Sequence, residues 1–370
     1  MTSFLIFIII LSILILAHEL GHFIAARRSG VWVEEFGFGI PPRIFGKKIG
    51  ETFYSINLLP FGGFVKLHGE SARDKIEKPE KAFLNKSKKS RALIVTAGVI
   101  MNFLLAILAF SLVYSFSGIP RKVGYIEVLD VNKDSPAQKA GLTPKDIVRS
   151  VDYKKVSTSK EFIKRVEEKK GREVRLEIQK PKSQATLPIF LSSRENPPEG
   201  EGPLGVIISD SEIYFPPLWQ RPIFGIYFGL KEALFWGSMI ILGFIKIISG
   251  LFLGIVPKDI AGPVGLYAIT SEVYKVGILP LINWLGIISV NLAILNILPI
   301  PAFDGGHLLS IIIEKIIGRK VLPKVEAWLH AASLTILVFL LLAITIKELK
   351  LINSLGITGY LDFLSGLSSK

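Results

Sequence analysis

His18-Glu19-Leu20-Gly21-His22 lies inside an apolar run, Phe4 to Ala26, that reads as a membrane span. On a helix, two histidines four residues apart leave the same face. That spacing lets two neutral imidazole nitrogens reach one tetrahedral zinc ion. Glu19, the next residue after His18, can hold and deprotonate a water at that metal. The surroundings sharpen the signal. The fourteen residues from Phe4 to Ala17 carry no charge. Ionisable groups placed straight after such a run are costly in lipid, so they face a protein interior or a wet cavity and carry function. A chance match on a soluble helix is the plain alternative. It fails here because an unpaired glutamate inside a span has no cheap structural role.

Composition agrees with a membrane protein. Half of the 370 residues are hydrophobic, which implies several spans. The net charge of +13 does not require nucleic acid, because Lys and Arg gather in short loops beside apolar segments, where they set topology. No nucleic-acid-binding motif accompanies them. Cysteine is absent, which excludes disulfides, a thiol nucleophile and Cys-ligated zinc. A zinc site in this chain must use His, Asp or Glu. The first span lacks a positive leader, and its basic pair Arg27-Arg28 follows the apolar run. It is therefore expected to be a retained span, with the N-terminus outside and Arg27 in the cytoplasm.

Working outward, the first span covers about residues 3–26. The loop from Arg27 to Arg91 carries fourteen Lys/Arg against seven Asp/Glu, a cytoplasmic signature. It holds two apolar patches, Phe36-Gly-Phe-Gly-Ile-Pro-Pro42 and Tyr54 to Leu67. The second reads as two short strands around the turn Pro60-Phe61-Gly62-Gly63. A hairpin there can dip into the membrane against the protein, with a free edge for an extended substrate strand. The second span, about 92–116, runs back outward and contains Asn102, read as a helix–helix hydrogen-bonding residue.

From Arg121 to about Ser209 the composition is that of a soluble α+β domain. Strands are expected at 125–131, 146–151, 173–179 and 185–191, with a capped turn at 135–142 and a helix at 159–169. This order, with Asp134-Ser-Pro-Ala-Gln-Lys-Ala-Gly-Leu-Thr-Pro-Lys-Asp-Ile-Val148, resembles a PDZ domain of the circularly permuted bacterial type. Two positions depart from that pattern. Lys145 stands where such domains carry Gly, and Asp152-Tyr153 stands for the usual Asn-Gly. Pro203-Leu204-Gly205-Val206 resembles the loop that holds a ligand's carboxylate. The stretch 223–256 is apolar but interrupted by Lys231, Glu232 and Lys246, and charge parity makes it interfacial or re-entrant. Spans three and four are expected at about 278–300 and 327–346. The basic residues Lys315, Arg319, Lys320 and Lys324 lie between them on the cytoplasmic side.

Span three ends in Asn296-Ile-Leu-Pro299-Ile-Pro301-Ala-Phe-Asp304-Gly305-Gly306-His307. Two prolines break the helix, and a lone carboxylate follows. A broken helix can present such a ligand at membrane depth. By the topology above, Asp304 lies on the same side as His18 and His22. Two histidines and one aspartate then leave a fourth zinc position for water.

The paired motifs HELGH and Asn-x-x-Pro-x-Pro-x-x-Asp-Gly, with a PDZ insert between them, resemble the site-2 protease family of intramembrane zinc metalloproteases. The likeness is to the bacterial PDZ-containing members that cleave anti-sigma factors. It extends to both Phe-Gly-rich patches and to Ala261-Gly-Pro-Val-Gly265. It implies zinc (Zn2+) held by His18, His22 and Asp304, with Glu19 as catalytic base. It also implies that Asn296, Pro299, Pro301 and Asn291 shape the site and position substrate. His307 is expected to be an outer or structural residue, and His68 and His330 ordinary surface or interface histidines.

The expected fold is a polytopic α-helical membrane protein of about four transmembrane helices, with a membrane re-entrant β-hairpin and an inserted extracytoplasmic α+β PDZ domain. The expected parts are an N-terminal membrane region 1–120, the PDZ domain 121–209, an interfacial or re-entrant helical region 210–275 and a C-terminal membrane region 276–370. The expected place is the bacterial cytoplasmic (inner) membrane, with the active site toward the cytoplasm. Expected partners are single-span membrane protein substrates, anti-sigma-factor-like or remnants of signal peptides, and a peptide terminus at the PDZ domain. The main rival is an inactive membrane-anchored PDZ adaptor, against which Glu19 and Asp304 stand. A transporter would show internal repeats between its halves, and none is found. A soluble peptidase conflicts with the apolar run before His18.

Overall fold

In chain order the protein opens with α1 (Thr2–Arg28), strands β1 (Val33–Ile49) and β2 (Thr52–Leu67), and α2 (Lys88–Ser117). Next come β3 (Ile119–Val131), α3 (Pro136–Lys139), β4 (Ile147–Val151), β5 (Lys154–Lys155), α4 (Ser159–Glu167), β6 (Glu173–Gln179), β7 (Thr186–Ser192) and β8 (Val206–Tyr214). Helices α5 (Arg221–Phe252), α6 (Pro263–Val276), α7 (Ile278–Ile297), α8 (Asp304–Ile317) and α9 (Pro323–Leu364) complete it. This computed structural model describes residues 2–70, 75–181, 185–198, 200–253, 261–318 and 323–364. Two units are distinguished, Met1–Phe116 with Trp219–Lys370, and Ser117–Leu218.

Among the described residues, five helices of the first unit are long and apolar enough to cross a membrane. They are Thr2–Arg28, Lys88–Ser117, Arg221–Gly250, Ile278–Ile297 and Trp328–Leu361. The protein is therefore polytopic, with one candidate more than the expected four. The addition is α5, expected as an interfacial or re-entrant piece and found as one unbroken helix of 32 residues. Two of its charges, Lys231 and Glu232, have partners within the first unit. The Glu232 carboxylate accepts from Tyr114 Oη (2.9 Å) and Trp236 Nε1 (3.0 Å), and Lys231 Nζ lies 4.5 Å from the Tyr227 ring centre. Residues 254–256 of that stretch lie outside the described residues, as do Arg319 and Lys320.

Close contacts fix the helix directions. α1 and α2 run opposite ways, since His18 meets Asn102 while His22 meets Ile94. α5 runs opposite to α2. A Cβ on Gly225 would lie 2.6 Å from Ser111 O, and one on Gly229 would lie 2.8 Å from Ile107 O. Gly286 of α7 packs against the buried Phe110 ring, and Ser289 Oγ donates to Asn102 O (2.7 Å). Small residues at these crossings let the backbones approach, which is what holds helices together where no water drives them. α7 therefore runs with α1 and α5, and Ile10, Leu14, Leu281 and Ile288 form one buried cluster. α6 packs at the start of α1 through Tyr267 against Phe4 and Phe7. Its N-terminal N–H groups at Gly262, Val264 and Gly265 all donate to the buried Glu348 carboxylate of α9. α9 kinks beyond that point at Gly356 (φ +71°).

Within 54–67 the chain reverses at Pro60-Phe61-Gly62-Gly63, as expected, but the two arms of β2 pair with β1. Arms 53–56 and 63–66 lie on either side of residues 35–38, and β1 itself reverses between Phe38 and Phe45. The register is that of four short segments. Residues 63–66 pair with 35–38, and 52–56 pair with 45–49, both with opposed numbering. The inner segments 35–38 and 53–56 advance in step, Phe36 beside Tyr54 and Phe38 beside Ile56. Aromatic contacts of Phe23 with Phe36 and Tyr54 lay this sheet along α1.

The second unit is one antiparallel sheet in the order β7-β6-β4-β3-β8, with β5 on β4. Alternate residues of β6, namely Val174, Leu176 and Ile178, point into a core shared with Phe162 and Val166 of α4. Ser135 caps α3 by accepting from Gln138 N (3.1 Å), and Thr158 caps α4 by accepting from Glu161 N (3.3 Å).

Candidate metal centre

Two glycines create the floor of the site. A Cβ on Gly21 would lie 2.3 Å from Ala97 O, so α1 and α2 meet backbone to backbone there. A Cβ on Gly98 would lie 2.4 Å from His22 Nε2 and 2.6 Å from His18 Cε1. Only a residue without a side chain leaves room for both imidazoles. The close crossing also brings His22 Nδ1 to the Ile94 carbonyl at 2.8 Å. Donating there fixes the ring and leaves Nε2 bare, as a metal ligand requires.

Asp304 enters from the other side. α7 ends at Leu298, whose extended backbone (φ −60°, ψ 142°) suits the residue before a proline. The chain then turns back so tightly that a Cβ on Gly305 would lie 2.1 Å from Leu298 O, and one on Gly306 would lie 2.7 Å from Ile300 O. This turn starts α8 with Asp304 facing α1. Its Oδ2 lies 3.1 Å from His18 Nε2 and 3.3 Å from His22 Nε2, and the two Nε2 atoms are 3.1 Å apart.

The fit to a metal is quantitative. Tetrahedral zinc with bonds of about 2.0–2.1 Å sets its ligand atoms about 3.3 Å apart, close to the three separations here. The chemistry agrees. Asp304 Oδ2 is buried without a hydrogen-bond donor, and two bare imidazole nitrogens face it. Three acceptors aimed at one point repel one another unless a cation lies among them. His18, His22 and Asp304 are the metal-ligand cluster found among the described residues.

Around this centre the expected residues divide. Glu19 is half-buried, and its carboxylate accepts from the Val65 backbone N–H of β2. A Cβ on Gly63 would sit 3.2 Å from Glu19 Cγ, so the bent part of β2 passes directly beside it. Asn296 reaches the cluster, with Nδ2 3.5 Å from His18 Nδ1. Pro299 is exposed and Pro301 half-buried in the turn between α7 and α8. Asn291 is half-buried on α7, and no hydrogen bond among the described residues joins it to the cluster.

Several residues carry more than their sequence signals. Asn102 is fully buried with Nδ2 3.5 Å from His18 Nδ1, so it contacts the centre as well as the neighbouring helix. His330 was expected as an ordinary surface or interface histidine. Its Nδ1 donates to Pro301 O (2.6 Å), and its ring lies 5.7 Å from that of His307. His68 is a core residue, not a surface one. It is 1% exposed, with Nδ1 donating to Glu34 (2.8 Å) and Nε2 accepting from Lys78 N (3.1 Å). Gly98 and Val65 were missed altogether. The only hint was a Gly in each of the first two spans, and it becomes legible once the spans are known to cross there.

Comparison with known proteins gives a concordant result. Residues 6–340 match the model of peptidase family M50. A protein of Clostridium perfringens named putative zinc metalloprotease is 33% identical over 341 residues, covering 91% of this chain and 96% of that protein. A similarly named protein of Clostridium acetobutylicum is 33% identical over 344 residues, 92% of this chain and 95% of that protein. Regulator of sigma-W protease RasP of Bacillus subtilis is 26% identical over 423 residues, 93% of this chain and 97% of that protein.

Proposed function

Because the chain belongs to peptidase family M50 and is an intramembrane zinc metalloprotease, we propose that it hydrolyses peptide bonds within the transmembrane segment of single-span membrane proteins. His18, His22 and Asp304 hold the zinc, and Glu19 is the base. The observation that carries this assignment is the convergence of His18 Nε2, His22 Nε2 and the orphaned Asp304 Oδ2. When bound, zinc acidifies a water and polarises the scissile carbonyl. Glu19 takes the proton of the attacking water. As oxygen bonds to the carbonyl carbon and the C–N bond breaks, Glu19 returns that proton to the leaving nitrogen. Asn296 offers its amide to the substrate, and Pro299 and Pro301 hold the turn that carries it.

A helical substrate hides its carbonyls in its own hydrogen bonds and must unwind. The 63–66 edge of β2, beside Glu19, holds the unwound strand by adding it to the sheet. In this reading the sheet is the re-entrant element. The second unit is a PDZ domain of the circularly permuted type. Its backbone supports this: Lys145 (φ +72°), Asp152 (φ +46°) and Tyr153 (φ +63°) keep the left-handed conformation that Gly and Asn-Gly supply in such domains. It filters substrates by size or reads a terminus. Anti-sigma-factor-like proteins are one proposed substrate class, which the name of the relative called regulator of sigma-W protease supports, and signal-peptide remnants are the other. The protein lies in the bacterial cytoplasmic membrane with its site toward the cytoplasm and the PDZ domain outside.

The test is cleavage of a single-span substrate by purified protein in detergent. Glu19→Gln is expected to lower the rate by about 10²–10⁴ while zinc stays bound, and a zinc chelator to abolish cleavage. Equal cleavage by wild type and Glu19→Gln would remove Glu19 from the chemistry. A folded wild type that binds no zinc would favour the inactive adaptor.

A further inference from the structure

His18 presents a hydrogen-bonding problem that its partner His22 does not. His22 Nδ1 has a carbonyl to donate to, but His18 Nδ1 faces two amides, each with nitrogen drawn toward it at 3.5 Å. If both amides donated, Nδ1 would be the acceptor, and the ring proton would sit on Nε2. That proton would occupy the very lone pair that points at Asp304 and His22. A neutral histidine that ligates through Nε2 needs an acceptor at Nδ1.

One of the two asparagines can supply it. Amide oxygen and nitrogen exchange places by a half-turn of the side chain, and the hydrogen-bond network decides which is correct. Asn102 is 0% exposed, and its Oδ1 is buried without any partner. Leaving that oxygen unpaired costs about 1–3 kcal/mol. Turning the Asn102 amide places Oδ1 against His18 Nδ1, which pairs the oxygen, gives the ring proton its acceptor and moves Nδ2 to the place the oxygen held. Asn296 Oδ1 is not such an orphan, and its residue is only half-buried. Asn102 is also the better anchored of the two, because its backbone carbonyl accepts from Ser289 Oγ at 2.7 Å.

We infer that Asn102 is a positioning residue, its Oδ1 accepting from His18 Nδ1–H so that Nε2 is held bare toward the metal, and that Asn296 is thereby left free to donate to substrate. This rests on the ligand set proposed above. It assigns the two amides of the site to different tasks, one to the metal ligand and one to the peptide.

The test reads tautomer and metal affinity, not turnover. In metal-free, 15N-histidine-labelled protein, His18 is expected to be protonated at Nδ1. Asn102→Leu should release that preference and weaken zinc, measured by competition with a chelator, by about 10–100-fold. Asn102→Asp keeps an acceptor and should hold zinc within about threefold of wild type or tighter, the carboxylate–histidine–zinc arrangement being a strong one. Asn296→Leu should leave zinc affinity unchanged. Unaltered zinc affinity in Asn102→Leu overturns the inference, as does loss of zinc in Asn296→Leu in its place. Should Asn102→Leu not fold, an Nε2-protonated His18 in the metal-free wild type overturns it alone. His18→Ala separates the two levels. If it retains zinc, the ligand set itself fails; if it loses zinc while Asn102→Leu does not, only the role of Asn102 fails.

Discussion

At the scale of single residues, the site depends as much on a missing side chain as on the ligands. Gly98 lies under both imidazoles, and a methyl group there would come within 2.4 Å of His22 Nε2. The obstacle is not a flexible tip that can swing away, since both rings are held by their hydrogen bonds. Gly98→Ala is therefore expected to displace the rings and lower zinc affinity by at least about tenfold, with the protein still folded. Zinc content after dialysis checks this, and a variant with wild-type zinc would show that the rings can yield. The four-residue spacing of His18 and His22 was legible in the sequence because one helix carries both, and its geometry is fixed. Asp304 was legible because prolines and glycines mark the broken helix around it. Gly98 and Asn102 were not, because their roles depend on which faces of α1 and α2 meet, and no local pattern encodes the register between two helices.

At the scale of elements, two contacts hold the pieces of the site in place. The first is a buried ion pair between Arg91 at the start of α2 and Glu314 of α8, with Lys88 Nζ donating to Glu314 O at 3.0 Å. It ties the helix that begins with Asp304 to the helix that anchors His22. Removing one partner leaves the other charge buried and unpaired, a loss of about 3–5 kcal/mol, whereas replacing both by apolar residues costs far less. Arg91→Met and Glu314→Leu should each lower the thermal midpoint in detergent more than the double variant does. Equal destabilisation by all three would mean the pair contributes packing and no electrostatics. The second contact is the β2 edge beside Glu19. Val65→Pro removes the N–H that reaches Glu19 and places a proline ring in the 63–66 edge. It is expected to abolish cleavage of a helical substrate while zinc remains bound, and undiminished cleavage would sink the strand-addition reading. The sheet also shows how far local pattern reaches. Pro60-Phe61-Gly62-Gly63 has the composition of a reversal and the chain reverses there, but both arms pair with residues 35–38, and turn chemistry alone cannot choose the strand that lies between them.

At the scale of the whole molecule, the question is how five candidate helices share the membrane. Hydropathy counts α5 as a span, whereas loop charges call for an even number of crossings. The helix directions within the first unit reconcile them. α5 and α7 both run with α1, so α7 starts on the side from which α5 started. Between them α6, with 14 residues, is about 21 Å long, short of the roughly 30 Å of hydrocarbon. α6 is also fixed at the level of the first residues of α1, through Tyr267, and at Glu348 of α9. In the proposed topology α5 lies beside α2 without changing the side on which the next crossing begins, and the crossings number four: α1 inward, α2 outward, α7 inward, α9 outward. Protease added to the outer face of intact protoplasts should then remove tags from both termini and leave a tag inserted after Glu77 untouched. If the terminal tags differ in their exposure, α5 is a full fifth crossing with no return. Asp304 and His18 would then have to reach the metal from opposite sides, in conflict with their 3.1 Å separation.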